Sequence, residues 1–165
     1  MTLAAVWAIS CLALNACASL EGLKALVQPP RFSQAPDHPS EIRLASVDPT
    51  RPLGGATVRL WTTVENPNPF GFTLSALDVT LFLEDIQAAE TSFPLGLPLQ
   101  ARGSETIPID ISISFSDIPR LAVPLRQAAR GQAIGYRLEG TVGIDAGRLG
   151  QPSFGPMTLL TGTLR

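Results

Sequence analysis

The stretch Thr106-Ile107-Pro108-Ile109-Asp110-Ile111-Ser112-Ile113-Ser114-Phe115 decides the fold. Large apolar side chains fall on every second residue, with Thr106, Asp110, Ser112 and Ser114 opposite them. A strand turns successive side chains to opposite faces, so this alternation predicts a strand with one dry face and one wet face. A helix would scatter the same isoleucines around its circumference.

Working outward, the same period recurs. In Ala56 to Glu65, the residues Val58, Leu60, Thr62 and Val64 point one way, and Arg59, Trp61, Thr63 and Glu65 the other. Tyr136, Leu138, Val142 and Ile144 form another stripe, opposed by Arg137, Glu139, Thr141 and Asp145. Shorter strands fit Glu41–Val47, Leu77–Leu83, Ala88–Leu95 and Met157–Leu164. Gly and Pro clusters separate them at the spacing of a sandwich. One stretch, Asp117 to Arg130, has helical spacing, with Ile118, Leu121, Ala122, Leu125 and Ala129 on one stripe. Ser116 can cap it and Gly131 can close it, while Pro124 predicts a kink or two short pieces. The expected architecture is all-β with one helix: an antiparallel, immunoglobulin- or fibronectin III-like sandwich of about seven strands.

The chain's 165 residues suffice for one domain. Of these, 45% are hydrophobic and 16% charged, which excludes a disordered chain. A net charge of -2 gives no electrostatic reason to bind nucleic acid. The single histidine, His38, lies in the polar run Gln34 to Ser40, where a solvated loop side chain is expected rather than a general base. No nucleophile has a base within reach, and Leu53-Gly54-Gly55-Ala56 lacks the lysine of a phosphate loop. Glu84-Asp85 reads as a hairpin turn, and Asp145 with Glu139 as surface residues. No cofactor, metal site, catalytic residue or small-molecule substrate is expected, so the chain is read as a non-enzyme.

Both cysteines, Cys11 and Cys17, lie near the N-terminus. The apolar run of residues 3–14 is short for a bilayer span, which needs about 20 residues, but suits a signal-peptide core. It ends in Leu14-Asn15-Ala16-Cys17, which resembles the bacterial lipobox. That resemblance implies removal of residues 1–16, acylation of Cys17 (palmitate-type chains) and attachment to the cell envelope. Ala18 is not the inner-membrane retention aspartate, so the outer membrane or periplasmic face is implied. One departure is the lack of a basic residue before Lys24. Residues 17–40 then read as a tether and leading strand, and 41–165 as the domain.

The most distinctive run is Val64-Glu65-Asn66-Pro67-Asn68-Pro69-Phe70-Gly71-Phe72-Thr73-Leu74. Two prolines cannot donate to a ladder, and each asparagine before proline is pushed out of the α region. Asparagine side chains can bond local main chain, and Gly71 frees the chain to reverse. This run resembles the Asn-Pro-Asn signature of the type-2 late-embryogenesis-abundant family, the water-stress and hypersensitive-response domain. Leu74 to Leu83, the turn Leu97-Pro98-Leu99-Gln100-Ala101-Arg102-Gly103-Ser104, and Tyr136 to Val142 extend the resemblance over roughly residues 40–164. Ala76 and Val79 depart from the usual Gly and Tyr. The resemblance implies an immunoglobulin-like sandwich with one helix, no catalytic residues, and protection during desiccation or other stress through weak contacts with client proteins. Asn66, Pro67, Asn68, Pro69 and Gly71 are expected to act as a structural turn. The alternative is a specific protein- or lipid-binding accessory module of the cell envelope.

Overall fold

Strand β3 (Gly55–Glu65) has partners on both edges. Along one runs β6 (Ser104–Ser114), antiparallel from Gly55 opposite Ser114 to Glu65 opposite Ser104. Along the other lie two short strands end to end. β1 (Arg31–Gln34) faces Glu65 to Thr62, and β2 (Glu41–Ala45) faces Arg59 to Gly55. Residues 35–40, which include Pro36 and Pro39, bow out opposite only Leu60 and Trp61. β1 and β2 are therefore one edge strand with an excursion in it, and this split makes eight strands where the alternation predicts about seven. The computed structural model describes residues 27–46, 49, 54–114 and 119–164. Cys11, Cys17, Val47 and Ser116 to Ile118 lie outside them.

The second sheet runs β5 (Ile86–Leu99), β4 (Phe72–Leu83), β7 (Ile134–Asp145), β8 (Ser153–Leu164). In an immunoglobulin constant domain the fourth strand pairs with the fifth. Here the equivalent strand, β5, pairs with β4 instead, which gives the three-over-four arrangement of the fibronectin-like variant. The core is built by the predicted stripes. Val58, Leu60, Val64, Ile109, Ile111 and Ile113 come from one sheet, and Leu77, Leu81, Leu138, Val142 and Ile144 from the other, all nearly inaccessible to solvent. Thr62 sits in the same inward row, and its Oγ1 is buried without a hydrogen-bond partner.

Three strands run longer than their alternation suggests. β4 begins at Phe72, β5 reaches Leu99 and β8 begins at Ser153. Bulges between Leu74 and Ala76 and within β8 shift the phase, so period two breaks while pairing continues. The helical stretch resolves into a 3-10 turn, Pro119–Leu121, followed by α1 (Ala122–Ala129). The break precedes Pro124, which sits in the first turn of α1 where a missing N–H is tolerated. Leu121 is buried, but Ala122, expected on the apolar stripe, is exposed. Gly131, at φ 71°, closes α1: its N–H donates to Ala128 O and that of Gln132 to Gln127 O, a Schellman arrangement.

Candidate functional site

Two chain crossings between the sheets, β3 to β4 and β5 to β6, lie at the same end of the sandwich. The Asn-Pro run of residues 66–69 makes the first crossing, and the turn Gln100-Ala101-Arg102-Gly103 makes the second. Both Asn66 and Asn68 are wholly buried between them. A buried amide must satisfy its donors and acceptors internally, since each orphan costs about 1–3 kcal/mol.

Asn66 does so completely. Its Nδ2 donates to Phe70 O at 2.8 Å and to Gln100 O at 2.9 Å. Its Oδ1 accepts from the Asn68 N–H at 2.9 Å and from Asn68 Nδ2 at 3.0 Å. That uses two donors and two acceptor lone pairs, the full capacity of the group. Asn68 Nδ2 also donates to Gln28 O at 2.9 Å, and its Oδ1 accepts from Gln28 N–H at 2.8 Å. Main-chain bonds from Asn66 N–H to Gly103 O and from Arg102 N–H to Asn68 O complete the cluster. The prolines keep the local main chain from competing for these groups. At Gly71 a side chain would press on Leu99 O, 3.2 Å from where its Cβ would lie, so the two crossings are close-packed here. Sequence reasoning places the asparagines in a turn. It does not show their partners, because Gln28 and Gln100 are 40 and 34 residues away in the chain.

The same bonds extend the folded unit toward the N-terminus. Val27 is 3% exposed and belongs to the core, and Pro30 is buried. Within residues 27–40, read from sequence as tether and leading strand, Val27, Pro30, Ala35 and Ser40 are buried against the sandwich.

The other sequence candidates are dispersed. Glu84 Oε1 accepts from Gly135 N–H at 2.6 Å, and Glu84 and Asp85 occupy the β4–β5 turn at φ 47° and 61°. Asp145 Oδ1 caps the Gly147 N–H at 2.9 Å, and Glu139 pairs with Arg137. Six residues of extended strand, roughly 20 Å, separate Glu139 from Asp145. His38 is exposed and stacks on Trp61 with ring centroids 4.5 Å apart, a contact that sequence does not reveal. On the outer face of the first sheet Arg59 holds Asp110 through two 2.7 Å bonds. The Arg59 guanidinium keeps the Asp110 carboxyl below its usual range, against a smaller desolvation effect. Among the described residues no three His, Cys, Asp or Glu side chains are grouped to hold a metal ion, and no helix is long and apolar enough to cross a membrane.

A family model described as late embryogenesis abundant protein matches residues 62–157. No curated protein sequence matches the chain significantly. Among solved structures, a solution structure of a protein from Arabidopsis thaliana is similar at TM-score 0.55 and 17% identity, covering 82% of this chain and 81% of that one. A second solution structure, of a late embryogenesis abundant protein, is similar at TM-score 0.51 and 14% identity, covering 96% of this chain and 83% of the other. At these identities the likeness concerns the fold.

Proposed function

The chain belongs to the late embryogenesis abundant protein family, type 2, and from that premise we propose that it is a non-enzymatic protective domain, held to a bacterial envelope membrane by acyl chains on Cys17. The observation that carries the protective half is the closed network of Asn66 and Asn68. The signature residues direct their hydrogen bonds at the fold itself, and Asn66 has none left for a ligand. Function then rests on the outer faces. These carry hydroxyls such as Thr63 and Thr106, bonded to each other at 3.0 Å, among charges that pair with one another, such as Arg59 with Asp110. Such faces suit weak contact with many clients. The anchored half rests on the lipobox-like Leu14-Asn15-Ala16-Cys17.

Two experiments test the halves separately. A labile enzyme dried or frozen with the purified protein should keep more activity than with an equal mass of an inert protein; equal survival would remove the protective role. Intact mass spectrometry of membrane-fraction protein should find a chain starting at Cys17 with acyl mass, absent in Cys17→Ala. An unmodified chain retaining residues 1–16 would remove the anchor.

A second reading, a specific binding module, is favoured by one observation. Phe93, Leu95 and Leu97 of β5 and Ile107 of β6 share the inward side yet stay half-buried, so the β5/β6 side of the sandwich is partly open. That reading expects one stoichiometric partner on crosslinking in cells, with crosslinks at this side.

A further inference from the structure

The chain preceding the sandwich leaves it at one fixed point. Val27 is buried in the core, and both main-chain groups of Gln28 are held by the Asn68 side chain, at 2.8 and 2.9 Å. Asn68 is held by Asn66, which bonds the β5–β6 turn. The exit is thereby fastened to the end formed by residues 66–71, 100–103 and 146–152. The β4–β5 turn at Glu84 and Asp85, with α1, makes the opposite end.

We propose that the Asn-Pro end faces the lipid bilayer and the α1 end points away from it. This rests on the acylated Cys17 of the proposed function. Ten residue steps separate Cys17 from Val27. Fully extended they reach at most about 35 Å. β4 alone has 12 residues, a length of about 40 Å, to which the end loops add. An inverted domain, resting on α1, would need the tether to run back past the whole sandwich, farther than its contour allows. The Asn-Pro end is therefore the one within a tether length of the headgroups. It presents Pro69, Ala101, Arg102 and Arg148 to solvent, with Phe70 half-buried. Arg102 and Arg148 suit phosphate groups. Glu65 and Glu105 lie at the same end, so reach sets the orientation and charge does not.

In the mature lipoprotein Cys11 is removed and the Cys17 thiol is acylated, so an engineered cysteine is the sole free thiol. Ala101→Cys and Gln87→Cys lie at exposed sites at the two ends. The full acylated protein, labelled with a fluorophore at either site, is reconstituted into vesicles containing headgroup-nitroxide lipid. Acylation is checked by mass beforehand. Quenching should be several-fold stronger at position 101 than at 87. Equal or reversed quenching in an acylated chain overturns the orientation and leaves the anchor standing. A chain without acyl mass overturns both.

Discussion

Asn66 illustrates how a turn residue can become a core residue. Its side chain joins the Phe70 main chain, the Gln100 main chain and both nitrogens of Asn68, and it is wholly buried. Asn66→Ala would orphan several buried groups at once, so it should cost on the order of 3 kcal/mol in chemical denaturation. Asn66→Asp is also expected to destabilise, because a carboxylate cannot donate to the two carbonyls. Thr62 gives the opposite sign. Its hydroxyl is buried and unpaired, and Val has nearly its shape. Thr62→Val should therefore stabilise the fold by about 1 kcal/mol, seen as a higher unfolding midpoint. A loss of stability would mean that the hydroxyl has a partner. Sequence reveals Thr62 as an inward residue through its place between Leu60 and Val64. Its lack of a partner emerges only from packing.

At the scale of elements, the β4–β5 hairpin turns through Glu84 and Asp85, both left-handed without being glycine. Two such residues fit a two-residue turn whose twist matches the strands, but each carries a cost of about 1–2 kcal/mol that glycine avoids. Asp85 is exposed, and its side chain makes a long, 3.4 Å contact with Arg137. Asp85→Gly should stabilise by about 0.5–1 kcal/mol in thermal or denaturant unfolding, after glycine's own entropy loss is subtracted. Glu84→Gly should gain less, because the Glu84 carboxylate also accepts from Gly135. Between β3 and β6, the folded Asp110 has a lowered pKa through its hydrogen bond and charge contact with Arg59. Its contribution is thus present above the unfolded value near 4 and fades as pH falls through the lower folded value. Both side chains are more than a third exposed, so solvent screening leaves the pair only a small contribution. Asp110→Asn should lose that contribution at pH 7, and its gap from wild type should close below about pH 4.

The elements also show where sequence is and is not legible. Val58, Leu60 and Val64, with Ile109 to Ile113, declare their strands because each is paired on a half-dry surface. β1 lies within the leading strand expected in residues 17–40, but its bounds escape, since four residues between prolines carry no pattern and its pairing with β3 is supplied by distant chain. The Asn-Pro run is visible as a stop signal. Its clasp on Gln28 is not, because no local periodicity encodes a contact across 40 residues.

Across the whole molecule the prolines are sorted. Within strands they occur at Pro94 and Pro98 of β5, Pro108 of β6 and Pro156 of β8, all edge strands. The interior strands β3, β4 and β7 have none, and the fourth edge is broken by the 35–40 excursion. A proline removes a donor from an exposed edge and hinders pairing with another copy. The protein should therefore stay monomeric in sedimentation velocity as it is concentrated, while Pro94→Thr with Pro98→Thr should self-associate. An unchanged double variant would remove this account of the edges. The split edge strand has one more consequence, and it is mechanical. β1 starts at the end where the chain leaves, and its bonds to β3 run across the strand axis. Tension arriving from the N-terminal side runs along β1, so it loads these bonds together in shear instead of peeling them one by one. The β1–β3 junction is in that sense built as a lap joint.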